Sequence, residues 1–450
     1  MPPASQLLAF GIVTISNEHI IACGDMLSLF TILLLYSLQS DSKPPIRVAT
    51  IPCGCRRALN YRQAFETGGR TTTARDCRYA SMHDALYIEY DISEYIVKEL
   101  LKVVVNTYSH QYSLRPVSFV QRSEWDAFVS EHTQGHLLQS WGWGELKASS
   151  GWYPLRLALW DGSRIMAAAQ VLRKTAPHVP LRLGHLAYIP KGPVLDWEQG
   201  ELCEAFFTQL NAFLHAQGAL ALHVEPAQEL ETPRGELVLK RLAPVGVHAV
   251  HAIQPLRTIV LDLAADEATL LAQMKEKWRY NIRLGTRKGV TVRVASSLED
   301  VRAWYALLET TGERDQFGIH TLDYYQRVWQ IFAPDDSIRL FLAEYEGQLL
   351  AGIFVGLFAR QGLYLYGASS NERRQLMPNY VLQWEAIRWA KQRGALLYDF
   401  WGIPETDEED EAMAGVYRFK RGWGGRVVQF PGCYEHAYHP FVMRMARKFL

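Results

Sequence analysis

The stretch Arg339-Leu-Phe-Leu-Ala-Glu-Tyr-Glu-Gly-Gln-Leu-Leu-Ala-Gly-Ile-Phe-Val355 contains two apolar runs separated by the dipeptide Glu346-Gly347. Two short apolar runs flanking a glycine turn predict a β-hairpin. A helix is predicted next at about 379–393, ending at Gly394, and a strand at 395–400 follows it. This part of the chain therefore predicts an α/β unit built from a hairpin, a helix and a further strand.

The same order of elements occurs earlier in the chain. Residues 156–160 and 165–172 read as strands joined by Asp161-Gly162, and a helix at about 202–217 ends at Gly218 before a strand at 219–224. The corresponding glycines of the two segments are separated by nearly the same sequence offset. This spacing indicates two copies of one α/β unit, with a chance similarity of two α/β segments as the alternative.

The first 112 residues lack this organisation, because they show no sustained periodicity. Their apolar run at 27–38 is shorter than the roughly 20 residues needed to span a bilayer. No Lys or Arg precedes Lys43, which argues against a signal peptide. We predict that residues 1–112 form a poorly ordered extension or reflect a misassigned start, with a small domain as the alternative. The two repeated units are then expected at 113–257 and 258–450.

The amino-acid composition argues against several classes of protein. The 47 basic and 47 acidic residues give a net charge of zero, which argues against a protein that coats nucleic acid but allows a local basic patch. Six cysteines in 450 residues do not make a disulfide scaffold. Cys433, His436 and His439 are too few for a zinc site, so we expect no metal and no cofactor.

The repeated order of elements resembles the GNAT acetyltransferase fold. Members that use CoA hold its pyrophosphate in a glycine-rich loop at a helix N-terminus. The corresponding stretch here, Arg373-Arg-Gln-Leu-Met-Pro-Asn379, has no glycine, and Pro378 lacks an N–H donor. We therefore predict an α/β (α+β) protein with two tandem GNAT-like domains and mixed sheets, whose acyl donor is not CoA.

Two GNAT-like units without a CoA loop resemble the FemABX family, over roughly three quarters of the chain. The long helical arm of some members is missing between Lys277 and Tyr324. The resemblance rests on these segments: Trp141-Gly-Trp-Gly-Glu-Leu-Lys147, Tyr188-Ile-Pro-Lys-Gly-Pro193, Lys277-Trp-Arg-Tyr-Asn-Ile-Arg283, Tyr398-Asp-Phe-Trp-Gly402, Val416-Tyr-Arg-Phe-Lys420 and Gly424-Gly425. It implies an aminoacyltransferase that uses aminoacyl-tRNA as donor and a UDP-linked or lipid-linked muramyl peptide precursor as acceptor.

The implied reaction is aminolysis of an ester, which needs donors aimed at a developing oxyanion rather than a covalent nucleophile. By resemblance, Phe419-Lys420 occupies the position of the family's catalytic lysine. Asp399 is a further candidate, because a carboxylate could orient or deprotonate the incoming amine. A surface lysine and a strand-end turn residue are the alternatives for Lys420 and Asp399.

A basic stripe indicates where a phosphate could bind. Lys275, Arg279, Arg283 and Arg287 are spaced by four and share one side of a predicted helix. Between Lys275 and Arg293 there are seven basic residues and one acidic residue, Glu276. This excess of positive charge favours an anion site, for either the precursor diphosphate or tRNA. The resemblance adds Lys147, and it implies that Arg279 or Arg283 lies near the diphosphate. By the same resemblance, the substrate cleft is lined by Tyr188, Lys191 and Gly192.

The sequence thus predicts an enzyme of peptidoglycan bridge formation in cell-wall biogenesis. An N-acyltransferase acting on another envelope polysaccharide or small amine is one alternative, and a catalytically silent precursor- or tRNA-binding protein is another. We expect a cytoplasmic monomer. The basic, apolar C-terminus at 441–450 is expected to pack on the domain as a helix, with peripheral contact to the inner face of the plasma membrane as the alternative.

Overall fold

The computed structural model describes residues 12–16, 19–22, 47–50, 87–88, 111–176, 180–243, 248–405 and 414–446. The chain divides into two compact units, 1–107 and 108–450. In the first unit, four short strands pair in chain order into one sheet: β1 (Ile12–Ser16), β2 (His19–Ala22), β3 (Arg47–Thr50) and β4 (Tyr87–Ile88). The remaining residues up to 110, and with them the predicted poor order, lie outside the described residues.

The second unit contains the repeated α/β plan. Its strands are β5 (Tyr112–Pro116), β6 (Tyr153–Asp161), β7 (Arg164–Lys174), β8 (His185–Pro190), β9 (Val194–Leu195), β10 (Ala219–Glu225), β11 (His248–Val250), β12 (Arg257–Asp262), β13 (Thr291–Val294), β14 (Ile338–Tyr345), β15 (Gln348–Phe358), β16 (Gln361–Ser369), β17 (Leu397–Gly402), β18 (Arg426–Gln429) and β19 (Cys433–Ala437). Its helices are α1 (Arg122–Glu131), α2 (Trp141–Ala148), α3 (Gly200–Ala216), α4 (Pro233–Leu242), α5 (Glu267–Gln273), α6 (Glu276–Arg287), α7 (Leu298–Asp315), α8 (Leu322–Phe332), α9 (Pro378–Gln392), α10 (Ala414–Arg421) and α11 (Pro440–Ala446).

These strands form two mixed sheets. The first has the order β11-β19-β10-β8-β7-β6-β5, with β9 beside β7, and the second has the order β13-β14-β15-β16-β17-β12-β18. In each sheet a hairpin is followed by a third strand, a helix and a strand parallel to the third: β6-β7-β8-α3-β10 and β14-β15-β16-α9-β17. The predicted α/β fold with two tandem GNAT-like domains is confirmed.

Glycines at equivalent places shape both copies. Gly162 and Gly347 turn the two hairpins with φ of +57° and +77°. Gly218 and Gly394 follow the two helices with φ of +84° and +85°. Side chains with a Cβ rarely adopt these left-handed values, so glycine is the residue that ends each helix and starts each following strand.

Both faces of the second sheet are covered. Phe341, Ala343 and Ile353 point to one face, where they join a core with residues of α6 and α9. The alternate residues Leu340 and Leu342 point to the other face, against α7, α8 and α2. Because neighbouring strand residues face opposite ways, the two cores lie on opposite sides of this sheet.

Two short crossovers connect the sheets. The chain passes from β11 in the first sheet to β12 in the second, and it returns from β18 in the second to β19 in the first. The backbone N–H of Phe430 in the returning crossover donates to Leu256 O in the outgoing one, at 2.8 Å. The first sheet therefore includes a strand from the C-terminal end of the chain. The three-part division at 112/113 and 257/258 itself stays a prediction.

No helix in the described part of the chain combines the length and the apolar character that a membrane crossing requires. The short helix α11 exposes Phe441 (69%) and Val442 (43%).

Candidate active site

The second sheet opens between its two parallel strands. β16 and β17 pair only over Gln361–Leu363 and Leu397–Asp399, and beyond this point they diverge. β17 continues to Gly402 and keeps its antiparallel partner β12 on the other side. The end of β17 therefore presents backbone carbonyls toward a gap rather than toward a neighbouring strand.

Lys420 occupies this gap. Its ammonium donates to the carbonyls of Gly402 at 2.7 Å and Trp401 at 3.3 Å, and it lies 5.5 Å from the ring centre of Tyr364 on β16. Burial lowers the pKa of Lys420 to about 8, and the Asp399 carboxylate acts in the opposite direction. An ammonium has three donors, so the two carbonyls leave one N–H for a substrate atom.

Asp399 lies beside Lys420 and is held by two donors. The Thr258 hydroxyl and the Trp401 backbone N–H (2.7 Å) both bond to Asp399 Oδ1. Burial raises the pKa of Asp399, and the hydrogen bonds and the charges of Lys191 and Lys420 oppose that rise. Trp401 has a left-handed φ of +61°, a backbone conformation that is uncommon for a non-glycine residue and tends to occur at functional sites.

Lys191 comes from the first sheet and faces the same carboxylate. Its side chain is 3% exposed, and its ammonium lies 3.2 Å above the ring centre of Phe430. Burial lowers the pKa of Lys191 to about 8, while Asp399 and Glu225 both act to raise it. Lys191, Asp399 and Lys420 thus form a buried group of two cations and one carboxylate, which we call the Lys-Asp-Lys cluster.

Tyr188 and Gly192 position the loop that carries Lys191 of this cluster. The Tyr188 hydroxyl donates to Glu225 and accepts from Gln254 Nε2 at 3.0 Å, and Gly192 N–H donates to Glu225 O at 3.0 Å. A Cβ on Gly192 would come within 2.7 Å of the Gln139 side chain. The two residues therefore fix the loop that carries Lys191.

Phe419 faces away from the cluster. Its ring packs on Tyr380 and Trp423 with centroid distances of 5.5 and 5.7 Å, and its carbonyl accepts from Trp278 Nε1 at 3.0 Å. These contacts anchor α10 to α9 and α6. Phe419 thereby holds the helix from which Lys420 reaches the gap.

Lys147 lies in a second, aromatic group between α2 and α8. Its ammonium donates to the Tyr324 hydroxyl at 3.0 Å, and that hydroxyl is 3.0 Å from the Tyr366 hydroxyl on β16. The His320 ring stacks on Tyr324 at 4.0 Å. Burial lowers the pKa of Lys147 to about 8. This group, the Lys147-Tyr324-Tyr366 group, adjoins the same strand that passes Lys420.

Arg279 and Arg283 are not brought together with Lys147, because α6 lies on the opposite face of the second sheet from α2 and α8. Arg279 donates to the backbone carbonyls of Ala272 (3.2 Å) and Met274 (2.5 Å), so it closes the turn between α5 and α6. Arg283 is exposed on the surface of α6. Lys275, the first residue of the predicted basic stripe, occupies the N-cap position of α6.

The loop before α9 is closed on itself. The N–H groups of Leu376, Met377 and Tyr380 donate to carbonyls of the same loop, and Arg373 pairs with Glu346. A Cβ on Gly285 of α6 would come within 2.8 Å of Leu376 O, so α6 packs directly against the loop. These N–H groups are already used, and they do not form a cradle for a pyrophosphate.

A cavity of about 580 Å³ reaches Asp399 of the cluster from the side of the first sheet. Its outer wall includes exposed Glu198 and Arg234, which form an ion pair, and its inner wall includes buried His136, Gln228 and Asp399. Burial lowers the pKa of His136 to about 3, so this imidazole is neutral. The cavity is large enough for a substrate chain to reach Asp399.

Among the described residues, no three His, Cys, Asp or Glu side chains are arranged to hold a metal ion. Cys433 is buried in β19, and the rings of His436 and His439 contact Tyr438 and His215.

Sequence reasoning missed several residues of the site. Thr258, Tyr364 and Phe430 contact the cluster. Tyr324 contacts Lys147, and Tyr366 contacts Tyr324. These residues come from two strands, a helix and a crossover, so little local spacing marks them. The alternation of Tyr364 and Tyr366 along one strand was the single pattern that could have been noticed.

Comparison with known proteins places this geometry in context. The model of the FemAB family matches residues 120–349 and 341–449. The chain is 26% identical over 380 residues to a lipid II:glycine glycyltransferase of Staphylococcus saprophyticus subsp. saprophyticus, covering 69% of this chain and 90% of the relative. It is also 26% identical over 391 residues to the lipid II:glycine glycyltransferase of Staphylococcus aureus, covering 70% and 91%.

Among solved structures, the crystal structure of FemX superimposes with a TM-score of 0.68 at 24% identity, covering 74% of this chain and 99% of that chain. At this identity the match supports the fold: both halves of the second unit and their connection have counterparts in one known structure.

Proposed function

Because the chain belongs to the FemAB family, we propose that it is an aminoacyltransferase that moves an amino acid from aminoacyl-tRNA to an amino group on the peptide of a peptidoglycan precursor. The relatives named lipid II:glycine glycyltransferase support a role in forming the interpeptide bridge. The acceptor is a UDP-linked or lipid-linked muramyl peptide.

The observation that carries this proposal is the buried Lys420 with one free donor, next to Asp399 in the gap between β16 and β17. In ester aminolysis the amine nitrogen bonds to the ester carbon, and the carbonyl oxygen becomes an oxyanion. The free N–H of Lys420 donates to that oxygen as its charge develops, which lowers the barrier rather than only improving binding.

Collapse of the intermediate breaks the bond between the ester carbon and the ribose oxygen. The amine must lose a proton and the leaving ribose oxygen must gain one, so the reaction needs a group that holds a proton nearby. In this scheme Asp399 accepts the proton from the incoming amine and returns it to the leaving ribose oxygen, because it is a buried acceptor next to Lys420 and its pKa is raised by burial. The neighbouring Lys191 balances its charge.

An aminoacyl ester suits the site better than a CoA thioester. The loop before α9 uses its N–H groups internally, and α6 packs against it. The donor must then be held by other contacts than a pyrophosphate cradle. An RNA-linked ester meets this requirement, because its phosphates are distributed along the RNA chain and can be bound away from the N-terminus of α9.

The Lys147-Tyr324-Tyr366 group is the proposed acceptor contact. The Lys147 ammonium uses one donor on Tyr324 and keeps two for a phosphate oxygen. The stacked rings of His320 and Tyr324 offer an apolar face to a sugar. The peptide then extends toward Asp399, with Tyr188, Lys191 and Gly192 on the first-sheet side of the path.

The test is an assay with defined substrates. The protein is incubated with a mixture of charged tRNAs and a UDP-linked muramyl pentapeptide, and the mass added to the precursor is measured. A gain equal to one or more amino acid residues, absent with uncharged tRNA, supports the proposal. No mass gain with any charged tRNA, on either the UDP-linked or the lipid-linked precursor, would reject it. We propose a cytoplasmic enzyme that meets the lipid-linked acceptor at the inner membrane surface.

A further inference from the structure

The outer faces of α6 and α10 carry a group of exposed cations. On α6 the side of the helix opposite its buried residues carries Arg283 and Arg287, with Lys275 at the N-terminal end. On α10, Arg418 and Arg421 are exposed while Lys420 between them is buried. We call these five side chains the α6-α10 basic surface.

The two helices pack against each other at their ends. Lys275 N–H donates to Gly422 O at 2.9 Å, and Trp278 Nε1 donates to Phe419 O at 3.0 Å. Lys275 starts the flank of α6 that adjoins α10. Arg283 and Arg287 follow further along α6, so the five cations lie on two helices that are in direct contact.

These cations are not neutralised by the described part of the chain. None of the five forms an ion pair with a described residue, whereas Arg293, Arg339 and Arg426 elsewhere on the surface are all paired with carboxylates. Arg421 donates to the Tyr417 hydroxyl, which carries no charge. The acidic residues in 407–411 lie outside the described residues and are not included in the surface. A group of unpaired cations is suited to a polyanion.

The chemistry favours RNA over a membrane. A membrane-binding helix presents large apolar side chains beside its cations. The exposed large side chain within this surface is Tyr280, at 55%, and it is an aromatic ring that can stack on a base. Exposed aliphatic and Phe side chains occur instead on α11, at Phe441 and Val442.

We propose that the α6-α10 basic surface binds the phosphate backbone of the donor RNA near its aminoacylated 3′ end. This inference rests on the proposed function. The reason is the position of α10: its outer face carries Arg418 and Arg421, and its inner face carries Lys420. An α-helix is about 10 Å across, so a strand held on the outside reaches Lys420 within a few nucleotides. Arg283 then contacts the donor rather than the precursor diphosphate.

The test measures binding of an uncharged RNA minihelix with a single-stranded 3′ end, by fluorescence anisotropy across a series of salt concentrations. The variant Arg283→Ala with Arg418→Ala removes two cations from the surface. Arg164→Ala with Lys240→Ala removes two exposed cations from the first half and serves as the matched control. Each lost phosphate contact should reduce the slope of log affinity against log salt by about 0.7–0.9.

We expect the surface variant to lose about 1.4–1.8 from the salt slope and at least tenfold in affinity, while the control matches the unmodified protein. Unchanged RNA affinity and slope in the surface variant would overturn the inference. Binding to vesicles of anionic phospholipid is measured in parallel. If the surface variant loses affinity only for the vesicles, the inference is also overturned, because the surface would then bind the membrane.

The same experiment separates the inference from the proposed function. If the unmodified protein transfers an amino acid but the surface variant binds RNA normally, the function stands and this surface does not. If no charged tRNA supports transfer, yet RNA binding depends on Arg283 and Arg418, the RNA surface stands and the proposed reaction fails.

Discussion

The two halves of the second unit differ at their pair of parallel strands. In the first half, β8 and β10 pair along His185–Pro190 and Ala219–Glu225. In the second half, the equivalent strands β16 and β17 part after Leu363 and Asp399. The carbonyls of Trp401 and Gly402, which have no partner on β16, accept hydrogen bonds from Lys420 instead. The same scaffold thus becomes a reaction site where backbone pairing stops and a buried cation takes its place.

A second difference lies at the fifth residue after the helix-ending glycine. In the first half this residue is His223, which bonds to Glu435 on the neighbouring strand β19 at 2.9 Å. In the second half it is Asp399, which bonds to Thr258 on the neighbouring strand β12. Both positions join a sheet strand to its antiparallel neighbour. Only the second faces a buried lysine from another element, so only it is expected to affect chemistry.

The largest effect is expected for Lys420→Met. Methionine retains most of the side-chain volume, so the packing of Phe419 on Tyr380 and Trp423 should survive. The loss of one donor to the oxyanion should reduce the single-turnover rate by about 10²–10³. Both dissociation constants should change little, because the ground-state ester carries no full charge.

Lys391→Met is the matched control, since Lys391 also donates to a backbone carbonyl, Leu263 O at 2.7 Å, in the same half. Its rate should stay within about twofold of the unmodified protein. A fall in acceptor or RNA affinity without a fall in rate would make Lys420 a phosphate contact.

The next effect is expected for Asp399→Asn, which removes the carboxylate but keeps the shape. If Asp399 serves the incoming amine, the single-turnover rate should fall by about 10², the low end for general base catalysis. The corresponding change in the first half, His223→Asn, should affect thermal stability and leave the rate unchanged. An equal loss of rate in both variants would remove the functional distinction between the two positions.

The pH dependence of Asp399→Asn gives a second readout. Lys420 must be protonated to donate, and its pKa is about 8, so the unmodified rate should fall as pH rises through about 8. Asp399 acts to raise the pKa of Lys420 against burial. Without the carboxylate the pKa of Lys420 should drop, and the falling limb should move to lower pH. A limb that stays in place would show that Asp399 does not interact with the titrating group.

How much of the structure of the two halves can be predicted from the sequence depends on how far apart along the chain the interacting residues lie. The hairpins and the glycine-ended helices follow from local patterns, and the predicted hairpin at Asp161-Gly162 and strand at 219–224 are found as β6-β7 and β10. The return of β19 to the first sheet depends on pairing across the whole unit, and no local pattern signals it.

The site divides in the same way. The structure brings Lys420 and Asp399 together, although only Lys420 was identified by resemblance, and their proposed roles stay predictions. The separation of Arg283 from Lys147 was not foreseen, because helical spacing identifies one face of α6 but not the sheet face on which the helix packs. The contact of Phe430 with Lys191 depends on a crossover between sheets, which sequence spacing does not encode.

A smaller effect is expected for Lys147→Met. Loss of a charge-assisted bond to phosphate should weaken acceptor binding by about tenfold to a hundredfold, measured by calorimetry with the UDP-linked precursor. The single-turnover rate at saturating acceptor should be nearly unchanged. The ammonium of Lys147 lies over the Trp143 ring at 4.9 Å. Lys174→Met is the control, because the Lys174 ammonium lies over the Trp152 ring at 5.1 Å but its side chain is exposed. Equal losses in both variants would mean that Lys147 acts only through general surface charge.

The smallest effect is expected on adding acetyl-CoA. The protein should neither bind acetyl-CoA nor use it as an acyl donor. CoA recognition at a helix N-terminus requires several free N–H groups aimed at the pyrophosphate. Before α9 the N–H groups of Leu376, Met377 and Tyr380 already donate within the loop, and Pro378 has none. Gly285 of α6 leaves no space beside Leu376 O, so the loop cannot open outward without moving that helix. Titration calorimetry with millimolar acetyl-CoA should therefore give no heat of binding. A micromolar dissociation constant would contradict the argument, and it would also weaken the case for an RNA-linked donor at the Lys-Asp-Lys cluster.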